Sequence, residues 1–344
     1  MKLRKALMIF ITLCSIANSF SQQRDLPHKN ITIINTNLSD HRYEFSALAK
    51  WKNKILLVPQ DRRNVVDSVY VIDSSEIERS LQTNAITKYL AFSINNLKHV
   101  GVRNDSLYIN DILLDNYDGI EAAVTKKDTI FFSIETDTSF CYLIKGIIDE
   151  QSKSINILTD TLHIPNTYNI NNAGYESLSL LPGKDSLIAF FECNKDTVNA
   201  KAYVISTGFG KALEPVTWAE PLYFRLTDTY ALNDSILLGI NRLFTAASHT
   251  AERDAYIKDL DIATVKQQLT NGGNIDTCYT QVIKILIKEN KLYWQPIAFI
   301  SLDIADNYEG IIPFSKGVLI VVDGEPGNAI SKLVYVQLGD LLNF

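Results

Sequence analysis

Asp306-Asn307-Tyr308-Glu309-Gly310-Ile311, followed by Val318-Leu319-Ile320-Val321-Val322-Asp323, is the stretch whose reading decides the fold. It sets a carboxylate in a tight turn and then an apolar strand that ends on a second carboxylate. The device occurs twice upstream: Asp118-Gly119-Ile120-Glu121-Ala122-Ala123 leads into Ile130–Glu135, and Gly174-Tyr175-Glu176-Ser177-Leu178 leads into Leu187–Glu192. The spacings agree, with 14 residues from Glu121 to Glu135, 16 from Glu176 to Glu192 and 14 from Glu309 to Asp323. Two looser copies are Ser46-Ala47-Leu48 before Ile55–Asp61 and Tyr230-Ala231-Leu232 before Ile236–Arg242. The variable position therefore runs Ser46, Glu121, Glu176, Tyr230, Glu309, in steps of 75, 55, 54 and 79 residues. Self-similarity on this scale, all strand and turn, is the signature of β-propeller blades. The expected fold is an all-β propeller. Residues 30 to 338 divide into six blades of about 52 residues, the two long steps leaving room for an extra blade; five and seven blades are the alternatives.

Outside the repeats, residues 1–21 read as a signal peptide: Lys2, Arg4 and Lys5, an apolar stretch from Leu7 to Ile16, then Ala17, Ser19 and Ser21 before a cut at Gln22. Secretion or export to the periplasm follows. Cys14 raises lipidation as the lesser option, since the Leu13 before it is larger than a lipidation site wants. Residues 22–344 then form a single propeller domain, expected to be monomeric. Loss of three basic residues leaves 30 Lys and Arg against 39 Asp and Glu, a net charge of −9. Such a balance argues against nucleic acid, which requires clustered cations. No other stretch approaches the length of a membrane span. Cys141, Cys193 and Cys278 are odd in number and widely spaced, so buried free thiols are favoured over a bridge.

Turn chemistry supports the strand assignments. Polar pairs such as Asn104-Asp105, Lys127-Asp128, Lys184-Asp185, Asn233-Asp234 and Glu289-Asn290 separate apolar runs and mark hairpin tips, because Asn and Asp nucleate turns. Ile31–Ile34 reads as a leader strand that closes the ring. Ser74–Leu81 predicts one or two helical turns with Ser75 and Glu78 as a capping box. Residues 249–270 have helical leanings and predict a blade insertion or a long loop.

Asn307-Tyr308-Glu309-Gly310-Ile311 with a strand ending on Asp323, Gly174-Tyr175-Glu176 with a strand ending on Glu192, and Tyr43-Glu44-Phe45-Ser46-Ala47-Leu48-Ala49 near the start resemble the "esterase-like activity of phytase" family, secreted phytase-like propellers. Leu237–Arg242 falls where that family tends to end a strand on Arg. The resemblance spans residues 42 to 338. It implies a hydrolase acting on phosphate or carboxylic esters with a calcium-type metal.

Equivalent positions in a propeller converge on its channel. Glu121, Glu176 and Glu309 are thus the candidate metal ligands, expected at the end where the inner strands begin. Glu135, Glu192 and Asp323 would form a second ring where the strands leave, with Arg242 a further channel candidate. Converging carboxylates repel, and a hard divalent cation relieves that repulsion. The same carboxylates can instead accept hydrogen bonds and tie neighbouring blades together, Arg242 pairing with one of them. Two functions follow: a calcium-assisted ester hydrolase, or a non-catalytic propeller that binds a small molecule or protein partner at its funnel. Catalytic residues are not otherwise apparent, since no Gly-x-Ser-x-Gly elbow, phosphate loop or zinc spacing is present.

Overall fold

The computed structural model describes residues 28–33, 44–60, 68–100, 106–109, 112–115, 117–136, 140–165, 174–194, 202–210, 212–222, 225–243, 279–300, 306–324 and 331–339. The signal-peptide, Cys278, Asn104-Asp105 and 249–270 expectations lie outside them.

The chain begins with β1 (His28–Ile33) and then forms blade one from β2 (Phe45–Trp51), β3 (Lys54–Pro59), β4 (Ser68–Asp73) and β6 (Leu90–Asn95); α1 (Ser74–Thr83) and β5 (Ala85–Ile86) sit between its third and fourth strands. A separate meander follows, β7 (Leu97–Val100), β8 (Ser106–Ile109) and β9 (Ile112–Asp115). Blade two is β10 (Tyr117–Lys126), β11 (Thr129–Thr136), β12 (Phe140–Asp149) and β13 (Ser154–Pro165). Blade three is β14 (Ser177–Leu181), β15 (Ser186–Phe190), β16 (Ala202–Ser206) and β17 (Glu214–Trp218). Blade four is β18 (Arg225–Ala231), β19 (Ile236–Leu243), β20 (Tyr279–Lys288) and β21 (Lys291–Ile300). Blade five is β22 (Asp306–Phe314), β23 (Gly317–Gly324) and β24 (Lys332–Gln337), completed by β1, which pairs antiparallel with β24 from His28↔Val336 to Thr32↔Lys332. The leader strand therefore closes the ring.

The inner strands pack in one cycle: β2 on β10, β10 on β14, β14 on β18, β18 on β22 and β22 back on β2. The described residues thus make five blades rather than six. The first long step holds α1 and the β7–β9 meander, and the last contains residues 244–278, which lie outside the described set.

Five apolar clusters fill the five junctions. Every blade is covered on both faces, which is why its strands read as nearly continuous apolar runs rather than alternating ones. In β23, Val318, Ile320 and Val322 face blade four while Leu319 and Val321 face blade one. In β11, Ile130, Phe132 and Ile134 face blade one and Phe131 faces blade three. Cys141 and Cys193 are buried free thiols in the junction between blades two and three.

The predicted hairpin tips supply another set of ties. Asp128 accepts from Trp51 Nε1 at 3.0 Å and pairs with Lys52 at 3.1 Å, Lys126 pairs with Asp185, and Asp234 accepts from the Gly183 N–H at 2.7 Å. Each tip thereby receives the preceding blade. The helix begins differently from the expected capping box: Asp73 is the N-cap, with no side-chain cap bond. Inside α1, Glu76 takes the guanidinium of Arg79 at 2.6 Å and the N–H groups of Thr87 and Lys88 at 2.8 and 3.1 Å, fixing the chain that returns to β6.

Candidate functional site: the central channel

Four of the five inner strands carry an irregularity near their start, which the register locates. The pairing skips Ser46 between Phe45 and Ala47, Glu121 between Ile120 and Ala122, Thr227 between Leu226 and Asp228, and Glu309 between Tyr308 and Gly310. Glu176 holds the equivalent place, just ahead of the Ser177↔Phe190 pair. A bulge leaves one residue out of the ladder and re-aims its side chain. The fourth member of the series is therefore Thr227, not Tyr230.

The second series does not sit at the far end of the channel. Each hairpin reverses the chain, so Glu135 lies opposite Gly119, Arg242 opposite Arg225 and Asp323 opposite Asn307, while the Glu192 N–H donates to Gly174 O at 3.0 Å. Both series meet at the end where the inner strands begin.

There they join across blades. Gln60 Nε2 of blade one donates to Glu121 Oε1 of blade two at 2.5 Å. Glu135 packs on Gly174 of blade three, where a Cβ would lie 3.0 Å from its Oε1. Glu192 of blade three, fully buried, pairs with Arg225 of blade four at 2.9 Å. Arg242 of blade four lies 3.6 Å from Glu309 of blade five. Asp323 accepts from Ser331 Oγ at 3.3 Å. Backbone bonds run the same way: Ile120 N–H to Gln60 O at 2.9 Å and Leu226 N–H to Glu192 O at 3.0 Å. Ser46, Ser133 and Thr227 hydroxyls donate to the Ile120, Tyr175 and Tyr308 carbonyls at 2.5, 2.7 and 2.8 Å.

Charge is unevenly distributed around this ring. Burial raises the Glu176 carboxyl well above the ordinary glutamate value; the neighbouring Glu192 and Glu309 push it further, and Arg225 opposes them. Glu176 is half-buried by surface area, yet protein surrounds it closely enough for burial to dominate. Asp228, one residue past its bulge, is likewise raised by burial although it accepts the Ile311 N–H at 2.8 Å. Burial and the neighbouring carboxylates thus favour the neutral form of Glu176, while Arg225 stands against Glu192 and Arg242 against Glu309. Glu121 is bonded to Gln60, and among the described residues no group of three His, Cys, Asp or Glu is arranged to hold a metal. Among the described residues the expected calcium ligands Glu121, Glu176 and Glu309 are not brought together as a metal-holding group.

The other half of the channel is open. Where the inner strands finish, a cavity of about 330 Å³ is lined by all five of them, among others by Leu48, Ala123, Leu178, Tyr230 and Pro313. Its inner wall carries Thr229, whose hydroxyl bonds Ser177 at 2.6 Å and Ser179 at 2.8 Å. Among the described residues Lys50 is the only charged one in its lining. Gln60, Arg225, Asp228 and Lys50 escape a sequence reading because their signal is a register position, visible only once the bulges are placed.

Among the described residues no helix is long and apolar enough to cross a membrane. No known family model matches the chain, and no curated protein matches it. Among solved structures, a glucose dehydrogenase shares 8% identity over 90% of this chain and 99% of its own, with a TM-score of 0.46. A GH43 β-xylosidase/α-arabinofuranosidase from a compost microbial metagenome shares 7% identity over 91% of this chain and 94% of its own, with a TM-score of 0.45. At such scores neither passes an activity or a residue role to this chain, and the phytase-like resemblance rests on its motifs alone. Strand pairing and the closed cycle of inner strands identify the chain as an all-β propeller.

Proposed function

We propose that this protein is a ligand-binding propeller whose small-molecule ligand occupies the central channel, in the half where the inner strands finish. The observation that carries this is the cavity of about 330 Å³ lined by all five inner strands, within the usual range for small-molecule sites. The charged half of the channel supports the same reading from the other side. Its Gln60–Glu121, Glu192–Arg225 and Arg242–Glu309 contacts each join one blade to the next. Metal-assisted ester hydrolysis, which the phytase-like resemblance implies, would draw on those carboxylates and compete with blade closure.

The test uses N-phenyl-1-naphthylamine, a neutral apolar fluorophore, titrated into the parent and into Ala231→Phe, which fills the cavity. One probe per chain is expected in the parent and none in the variant. An aryl phosphate and an aryl ester should survive with calcium or with chelator. Absence of stoichiometric binding by the parent, or hydrolysis that chelator abolishes, would overturn the proposal.

A further inference from the structure

Lys50 lies on β2 and Tyr230 on β18, which flank β22 in the ring, and both line the open half of the channel. Among the described residues neither the Lys50 ammonium nor the Tyr230 hydroxyl has a hydrogen-bond or ion-pair partner. The other hydroxyls there are engaged: Thr229 with Ser177 and Ser179, and Thr125 with the Lys50 carbonyl. The rest of the lining is aliphatic or proline. We infer that the channel ligand is a small organic anion with an apolar body, its carboxylate or sulfonate taken by Lys50 with the Tyr230 hydroxyl as a second donor and its hydrocarbon part held by Leu48, Leu178 and Leu232.

Two physical points support this class. An apolar wall favours an apolar body, and a neutral ligand would leave the single cation without a counter-charge in the bound complex. Lys50 is solvent-exposed overall, yet partial burial already lowers its pKa, so its ammonium has lost water without gaining an anion. A charge-assisted hydrogen bond restores what was lost.

This inference rests on the channel-binding reading, and one probe pair separates the two. 8-Anilino-1-naphthalenesulfonate is N-phenyl-1-naphthylamine with a sulfonate added. Fluorescence titration of the intact protein should show the anionic probe binding about tenfold more tightly than the neutral one, the size of one charge-assisted bond. Lys50→Met should erase that preference, with the neutral probe still binding one per chain. Lys50→Arg should keep it, and Tyr230→Phe should reduce it in part. Equal affinity for both probes in the parent, or a preference that survives Lys50→Met, overturns the anion assignment and leaves channel binding standing. Failure of both probes to bind stoichiometrically removes the channel reading as well.

Discussion

Replacing Arg225 by Met strikes the most deeply buried ion pair of the ring. Glu192 has no exposed surface, and Arg225 Nη1 stands 2.9 Å from its Oε2. Glu192 and Glu309 both act on Glu176 through like charge, so loss of the guanidinium leaves Glu192 buried beside other carboxyls. Removing one partner of a buried pair costs about 3–5 kcal/mol, because the remaining charge is stranded. Unfolding entropy of about 2.1 cal/mol/K per residue over 344 residues gives about 0.7 kcal/mol per degree. The melting temperature should then fall by about 4–7 °C. Adding Glu192→Gln to Arg225→Met removes the stranded charge and should recover at least half of that drop, a coupling that a double-mutant cycle reads directly. Calorimetric melts of the parent, both single variants and the pair decide it. A drop below about 1 °C for Arg225→Met would mean that the pair acts as a weakly coupled surface bridge. A double variant no better than the single would mean that the guanidinium matters through packing alone.

Glu176→Gln tests the raised carboxyl. Its folded pKa is raised above the ordinary 4.5, so the folded state holds the proton more tightly, and that contribution is complete below pH 4.5 and fades as pH rises toward the folded value. The parent should lose up to about 1.4 kcal/mol per pH unit from this group above pH 4.5, and Glu176→Gln should flatten that decline in urea midpoints from pH 5 to 8; an unchanged slope contradicts it. Glu76 has the opposite sign, held down to about 2 by Arg79 first and then by backbone donors. Its contribution is present above 4.5 and lost as pH falls toward 2, so Glu76→Gln should cost about 1–3 kcal/mol at pH 7 and almost nothing at pH 2, measured by denaturant unfolding at both. At Gly310 a Cβ would lie 2.6 Å from Leu48 N and 2.9 Å from Ala47 C, backbone atoms of blade one. Gly310→Ala should destabilise by about 1–3 kcal/mol, whereas Gly208→Ala, with its nearest atom at 3.9 Å, should leave the melt unchanged.

The propeller is legible because a blade covered on both faces writes a nearly unbroken apolar strand, and Val318–Val322, Ile130–Phe132 and Leu187–Phe191 all carry that mark. Blade count is less legible, since a long interval looks the same whether it holds another blade or, as between Ser46 and Glu121, a helix and a side meander. The bulge position is readable where it is Glu. In blade four Thr227 holds it, followed by Asp228, and only the register distinguishes it from the small-then-aliphatic pattern at Tyr230. Placement of Glu135, Glu192 and Asp323 at the far end fails for a simple reason: a hairpin returns the second strand to where the first began. The open cavity leaves no motif at all. Five strands each contribute a few residues to it, and what unites Lys50 with Tyr230 is the ring and not the sequence.

Diffraction from crystals grown with calcium and the anionic naphthalene probe tests channel binding most directly, using anomalous scattering from calcium and from the sulfonate sulfur. The prediction is probe density among Leu48, Leu178 and Tyr230 with its sulfonate toward Lys50, and no ordered cation between Glu121, Glu176 and Glu309. A calcium peak bridging Glu176 and Glu309, with the cavity beside Lys50 empty, would contradict it and restore the metal-assisted hydrolase.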